Sequence, residues 1–396
     1  MNAETAQPAA NWPRYRPTIG AGGAAFVLFG VSLTVIGPLL QPIREEFATN
    51  NATIGLLFLF SSAAHVAGTM AGSYFSDLIG RRLFVVAGLV TLALGFLFSG
   101  LAPNIQIFLL NGVFFGIGYG MLDGPCNALL VDISGPRSAR VLNFVHGGFG
   151  VGAVIGPVFA AIVYSQTGDW RPVFVALAVA WLLLAIPFAL VSVPKELPAR
   201  SAGWRIRSVL GLHLALIMGV MFCAVGVELI YQSWLPSFLE LERGFERTIA
   251  AASLTAVSVG LVLGRAAMGL VAGRWDPYRL LAVLMAGCAL AALAAMLVQS
   301  PVLAVALFGL ASLLAAGGFP TAISLGTAEL RSNVGSATGL IVASAGIAGM
   351  TFPPISGVLA ENGQFDLVML LPAPLALLGA GLVLIARMNR RQAGHS

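Results

Sequence analysis

Charged residues are scarce in this chain. Only 9% of its 396 residues are Asp, Glu, Lys or Arg, whereas a soluble domain carries roughly 25%. Hydrophobic residues make up 58% of the chain and the mean hydropathy is +0.92, which excludes a surface built mainly for water. Whole segments are apolar on every side, a pattern typical of helices within a membrane.

Cysteine is also rare, and the common sequence motifs of soluble enzymes are missing. The three cysteines, Cys126, Cys223 and Cys288, lie in apolar segments without paired or metal-type spacing, so we expect small buried hydrophobes rather than a disulfide or a metal site. No zinc motif, nucleophile elbow or Walker loop is present. We therefore expect no enzyme, no cofactor and no ATP-driven pump. Residues 1–17 lack the apolar core and cleavage site of a signal peptide.

The positive net charge follows from membrane topology. The net charge is +5 and the pI is about 9.5, values that could suggest a nucleic-acid partner. Membrane proteins, however, keep Lys and Arg in their cytoplasmic loops. We therefore expect the lipid bilayer, and no nucleic acid, as a partner of this chain.

A transmembrane helix needs about 20 mostly apolar residues, and twelve such segments are present. Six lie in the first half, at 18–41, 53–76, 83–101, 106–131, 142–164 and 172–192. Six more lie in the second half, at 209–238, 248–272, 279–298, 301–326, 336–358 and 367–387. The predicted fold class is an all-α integral membrane protein of twelve transmembrane helices.

Basic residues indicate the orientation of these spans. With a cytoplasmic N-terminus, sixteen of the 21 Lys and Arg residues fall on the cytoplasmic side and four on the outer side: Arg44, Arg171, Arg243 and Arg247. This asymmetry predicts a multi-pass protein of the cell (inner) membrane with both termini in the cytoplasm. The expected organisation is a tail at 1–17, a six-helix bundle at 18–192, a cytoplasmic linker at 193–208, a second bundle at 209–387 and a tail at 388–396.

The two halves repeat each other. The segment 72–82 (GSYFSDLIGRR) closes the second span, and 269–279 (GLVAGRWDPYR) closes the eighth, 197 residues later. The segment 150–157 (GVGAVIGP) is echoed by 346–353 (GIAGMTFP), 196 residues later. Two matches at nearly one offset predict pseudo-symmetric bundles and a rocking transporter with alternating access.

These residues resemble the major facilitator superfamily from about Ile19 to Met388, and segment 72–82 is similar to the signature loop between its second and third helices. The resemblance implies that the acid and arginines of this loop latch a cytoplasmic gate. It assigns a gating role to Asp77, Arg81 and Arg82, and we add Arg265 and Arg274 from the second half.

Four further segments resemble the fucose/glucose–proton symporter branch of this family. They are 118–127 (GYGMLDGPCN), 225–236 (VGVELIYQSWLP), 260–265 (GLVLGR) and 317–320 (GGFP). The chain departs from the branch in its first span, where Gly37 and Pro38 stand in place of an acidic residue. The resemblance implies a sugar carrier driven by protons.

Only two of the 16 acidic residues lie in the middle of a span, Asp123 and Glu228. Burial in the bilayer disfavours the charged form of a carboxyl group, and such groups in membrane helices commonly mark proton or ion pathways. The alternative is a hydrogen-bonded structural acid or a fixed ion pair. We predict that Asp123 and Glu228 are the proton-coupling residues, although sodium could replace the proton.

Polar residues at helical spacing surround these two acids. Asn127 lies four residues after Asp123, and Gln232 lies four residues after Glu228, so each amide shares a face with its acid. The predicted substrate-binding residues are Asn127, Asn143, His146, Tyr231, Gln232 and Trp234. Tyr231 and Trp234 could instead belong to the outer aromatic belt. His65 is a second mid-membrane histidine, with a weaker claim than His146, which Asn143 precedes by one turn.

We predict a secondary active transporter, expected to be monomeric, that moves a small polar solute, above all a sugar, by proton-coupled symport. The alternative is a proton-coupled exporter of amphipathic drugs or lipids, because fold does not determine substrate. A membrane sensor is disfavoured because the gate-like loop occurs in both halves.

Overall fold

The computed structural model describes residues 12–49, 51–191, 211–328, 330 and 333–393, and every regular element in these ranges is helical. The predicted cytoplasmic linker 193–208 lies outside the described residues. So do 1–11 of the predicted N-terminal tail and 394–396 of the predicted C-terminal tail.

Seven α-helices form the described part of the first half. They are α1 (Trp12–Thr34), α2 (Ile36–Glu46), α3 (Asn51–Ile79), α4 (Arg81–Gly100), α5 (Ile105–Ser134), α6 (Ser138–Thr167) and α7 (Arg171–Leu190). A single 3₁₀ turn, Gly135–Arg137, connects α5 to α6.

Eight helices form the described part of the second half. They are α8 (Leu212–Ser237), α9 (Arg247–Val271), α10 (Pro277–Leu297), α11 (Pro301–Ala315), α12 (Gly318–Thr327), α13 (Val334–Glu361), α14 (Phe365–Leu370) and α15 (Pro372–Ala393). A π-helical turn, Phe238–Glu242, extends α8.

The predicted twelve-span fold is confirmed. Ten described stretches are long and apolar enough to cross a membrane, and one of them, Ile105–Thr167, contains both α5 and α6. The 29-residue helix α3 covers the predicted second span, 53–76. The pairs α1/α2, α11/α12 and α14/α15 each occupy one predicted span.

Proline accounts for two of the three interrupted spans, which hydropathy alone does not reveal. Pro38 and Pro320 each lack a backbone N–H, and their rings clash with the carbonyl four residues earlier. The breaks at Val35 and at Ala316–Gly317 fall at these points. A carbonyl freed in this way inside a membrane protein needs a new hydrogen-bond donor.

The described chain forms two compact units. The first combines Met1–Val141, Gly148–Trp204 and Leu330–Ala343, and its core includes an aromatic cluster of Phe108, Trp170 and Phe174. The second combines Leu142–Gly147, Arg205–Glu329 and Ser344–Ser396. Each unit is therefore one half of the sequence together with a short segment of a helix from the other half.

Large apolar side chains are exposed along most of the helices. Leu190, Leu297 and Val302 are 79%, 81% and 74% exposed, respectively. Exposed apolar surface on this scale would make a soluble protein aggregate, whereas it matches the hydrocarbon core of a bilayer. The chain is a multi-pass membrane protein.

Candidate functional site

Asp123 is the centre of a buried polar cluster in the first unit. Its carboxylate is 5% exposed, and Oδ1 accepts a hydrogen bond of 2.6 Å from Nδ2 of Asn127, one turn later on α5. Nε2 of His65, on α3, lies 3.7 Å from Oδ2. The structure therefore brings the predicted residues Asp123 and Asn127 together, and it adds His65.

Close contact between two helix backbones positions His65 beside Asp123. A Cβ atom at Gly116 would lie 2.7 Å from the backbone nitrogen of His65, and one at Gly120 would lie 2.6 Å from its carbonyl oxygen. Small residues let membrane helices approach this closely. The glycines of α5 thus allow the two helices to bring the imidazole of His65 close to the carboxylate of Asp123.

Glu228 is the centre of a second polar cluster, in the second unit. Oε1 accepts a 3.1 Å hydrogen bond from Nε2 of Gln232, as the helical spacing predicts. Oε2 accepts a 3.1 Å hydrogen bond from Nη2 of Arg265, on α9. Arg265 is 4% exposed and Glu228 is 18% exposed, so the arginine of this ion pair is buried and the carboxylate is partly buried.

Arg265 also donates to two backbone carbonyls. Nε donates to the oxygen of Ala316 at 3.3 Å, and Nη1 donates to the oxygen of His146 at 3.1 Å. The Ala316 carbonyl lies four residues before Pro320, which cannot donate a hydrogen bond to it. The predicted gating residue Arg265 is therefore bound to Glu228 and to the break between α11 and α12.

The other predicted substrate-binding residues occupy different surroundings within the second unit. Nδ2 of Asn143 donates to Oγ1 of Thr321 at 3.4 Å, and the ring of His146 lies 4.8 Å from that of Phe319. Tyr231 is fully buried and packs on Phe308, with ring centroids 5.6 Å apart.

Trp234 and Gln232 lie further along α8. The Trp234 ring lies 6.3 Å from that of Phe365. Gln232 is exposed. Tyr231 thus contributes to the hydrophobic core of this unit, whereas Gln232 donates a hydrogen bond to Glu228.

The predicted gate residue Asp77 binds the start of α13. Its carboxylate accepts hydrogen bonds from the backbone nitrogens of Gly335 and Ser336 at 3.1 and 2.8 Å, and from Oγ of Ser336 at 3.0 Å. It thus satisfies free N–H groups at a helix N-terminus, where the helix dipole favours an anion. Nη1 of Arg81 lies 3.2 Å from the same carboxylate.

The two arginines of the signature loop have separate partners. Nε of Arg81 bonds Oδ2 of Asp132 at 2.5 Å, so this arginine joins α4 to both α3 and α5. Nη2 of Arg82 donates to the oxygen of Val191 at 2.5 Å. Arg81 therefore forms one network with Asp77 and Asp132 within the first unit.

The equivalent loop of the second half is arranged differently. Asp276 caps its own helix α10, accepting from the Arg279 nitrogen at 2.9 Å, and it pairs with Arg387 at 3.0 Å. Burial raises the pKa of Asp276, but these hydrogen bonds and the two arginine charges outweigh it, so the pKa lies below its usual value. The predicted gating residue Arg274 is exposed.

The pairing of His65 with Asp123 does not follow from the sequence, because the two residues lie 58 positions apart and share no helical spacing. A signal was available, however, because His65 and Asp123 are the ionisable residues in the middle of two spans of the first half. Arg265, a predicted gating residue, lies six residues before the end of α9 and donates to Glu228.

Comparison with known proteins gives one family. The sequence profile of the Major Facilitator Superfamily matches residues 22–331. The chain is 24% identical over 265 residues to sodium-dependent glucose transporter 1A of Mus musculus, and this match covers 58% of the chain and 62% of the mouse protein. It is 23% identical over 400 residues to the 3-(3-hydroxy-phenyl)propionate transporter of Escherichia coli, covering 98% and 97% of the two chains.

Solved structures show the same fold. The crystal structure of a variant of the E. coli fucose:proton symporter superposes with a TM-score of 0.81 at 20% sequence identity. The superposition covers 94% of this chain and 99% of the symporter. At this level of identity the likeness extends to the fold, and it confirms the predicted arrangement of helices.

Proposed function

Because this chain belongs to the Major Facilitator Superfamily, we propose that it is a secondary active transporter that carries a sugar across the membrane with protons, by alternating access. Membership of this family of transporters confirms that the chain is not an enzyme. The substrate and the coupling ion belong to the proposal.

The observation that carries the proposal is a repeated arrangement of acid and amide. Asp123 binds Asn127, and Glu228 binds Gln232, each pair one turn apart on a predominantly apolar helix. Carboxylates and carboxamides offer several acceptors and donors for the hydroxyl groups of a sugar. Polar side chains inside a membrane are costly and are typical of a solute or ion path.

The names of the relatives support a sugar substrate, but they do not agree on the coupling ion. The mouse relative is named as a sodium-dependent glucose transporter, and the bacterial structure is that of a fucose:proton symporter. Both names refer to sugars, whereas they specify different coupling ions. We choose the proton because the two acid clusters contain ionisable groups in the middle of the spans.

Reconstituted protein tests this function. Proteoliposomes would be given radiolabelled D-glucose, D-galactose or L-fucose under an inward proton gradient, an inward sodium gradient, or neither. We expect at least one sugar to accumulate above equilibrium only with the proton gradient. Accumulation driven by sodium alone would identify sodium, rather than the proton, as the coupling ion. The absence of uptake and exchange of all three sugars would refute the sugar substrate.

An organic acid is the second candidate substrate. The guanidinium of Arg265 is a buried cation, and planar guanidinium groups bind carboxylates in a bidentate manner. If Glu228 took up a proton, Arg265 could bind a substrate carboxylate in its place. The E. coli relative that matches nearly the full length is named for an aromatic acid. Radiolabelled 3-(3-hydroxyphenyl)propionate in the same vesicles tests this candidate.

A further inference from the structure

The two mid-span acids, Asp123 and Glu228, differ in the basic side chain that each one faces. Glu228 faces Arg265, whose guanidinium is always protonated. That pair is neutral without any additional proton. Asp123 faces His65, and histidine is the side chain whose charge changes at physiological pH. The Asp123–His65 pair is neutral only when one proton resides on either the carboxylate or the imidazole.

Other ionisable groups near Asp123 do not replace this proton. Helices α1, α3 and α4 contact α5. On α4, Arg81 is bound to Asp77 of α3 and to Asp132, and on α5 itself the neighbouring Cys126 is a buried neutral thiol.

The remaining ionisable groups of the contacting elements lie at a helix end or have other contacts. Arg82 of α4 donates to the oxygen of Val191. The described ionisable groups of α1 (Arg14, Tyr15 and Arg16) lie at its beginning, and segment Val334–Ala343 of α13 has none. Tyr74 of α3 packs on Phe75. Tyr119, one turn before Asp123, stacks on Phe29. Within the described residues, His65 is thus the basic side chain that faces Asp123.

We propose that the pair formed by Asp123 and His65 holds the coupling proton, with His65 as a second carrier, while Glu228 stays in its ion pair with Arg265. Burial penalises an unpaired charge strongly. Transfer of the proton from Nε2 of His65 to Oδ2 of Asp123 leaves the total charge unchanged, and its loss to solvent leaves one negative charge. Nε2 makes no hydrogen bond with any described residue, so it is available for this exchange.

This assignment rests on the proposed function for its role in transport, but proton binding by the pair can be measured without a substrate. The purified full chain would be reconstituted in lipid, and infrared difference spectra would be recorded between about pH 5 and 8, the range in which histidine titrates. We expect a carboxyl band that shifts when aspartate is labelled with ¹³C and stays in place when glutamate is labelled. This labelling needs no substitution and therefore raises no question of folding.

Substitutions locate the band on the chain. We expect D123N to remove it and H65Q to change its dependence on pH. E228Q should retain it, as should the matched control D366N, which alters an exposed aspartate. A D123N spectrum identical to that of the wild type, or a band that responds to the glutamate label and disappears in E228Q, would overturn the assignment.

Transport measurements then separate the two proposals. With the labelled sugars as probes, we expect D123N and H65Q to lose accumulation driven by the proton gradient. Because His65 has no part in the proposed sugar site, H65Q should still exchange sugar across the membrane. Accumulation by either variant at the wild-type level would overturn the role in coupling. If the wild type moves none of the sugars, the proposed substrate fails, while the infrared spectra still decide where the proton binds.

Discussion

At the scale of single residues, Arg265 connects several features of the second unit. It contacts Glu228 on α8, the Ala316 carbonyl at the break between α11 and α12, and the His146 carbonyl on α6. Three of its donors are used in fixed directions, a geometry that the guanidinium provides and a lysine ammonium does not. Removing this side chain would leave the Glu228 carboxylate without its cation.

We therefore expect R265M to be strongly destabilised. Breaking a fully buried ion pair by removing one partner costs about 3–5 kcal/mol, because the other charge stays buried without compensation. Glu228 is 18% exposed, so we expect a loss at or below the lower end of this range. The double variant R265M/E228Q should recover part of this loss, and R265K should lie between R265M and the wild type. Thermal unfolding of the four proteins in detergent measures the differences. Equal stability of R265M and the wild type would show that the Arg265–Glu228 pair does not stabilise the folded protein.

At the scale of helices, glycine and proline determine how the elements meet. Pro320 interrupts the tenth span and frees the Ala316 carbonyl for Arg265. Gly116 and Gly120 allow α5 to lie against the backbone of α3 near His65. Glycine and proline add no polar side chain to these helices. Their positions nevertheless determine which polar groups on different helices come into contact.

Substitution of Gly120 should test this helix contact. In G120A, the new Cβ would lie 2.6 Å from the His65 carbonyl oxygen and from the backbone carbon of Gly68, so the helices must separate. Overpacking of this kind costs about 1–3 kcal/mol. G20A is the matched control, because nothing lies within 4 Å of a Cβ at Gly20, and it should be neutral or slightly stabilising. Thermal unfolding of both variants measures the difference, and equal losses would contradict the prediction.

At the scale of the whole molecule, the two sequence repeats have diverged in their contacts. In the first half, Asp77 binds the N-terminus of α13, a helix more than 250 positions away. In the second half, Asp276 binds its own helix and Arg387. The repeat therefore preserves the position of an acid at the end of a span, while the partner of that acid differs.

The orientation predicted from the basic residues can be tested on intact cells. The native cysteines are buried, so the wild-type chain should give little background with a membrane-impermeant maleimide. Cysteine at the exposed position Gln364 should react from outside. Cysteine in place of Trp275, which is 69% exposed, should react only after permeabilisation. The opposite pattern would reverse the predicted topology.

The sequence by itself determined the membrane class, the twelve spans, the repeat and the two central acids. These properties depend on local composition and on spacing along one helix, as the Asp123–Asn127 and Glu228–Gln232 hydrogen bonds illustrate. Only the tertiary structure decided that Asp123 faces His65, that Glu228 faces Arg265 and that Asp77 caps α13. These partners lie on different helices, and helix packing, which single-sequence periodicity does not encode, brings them together.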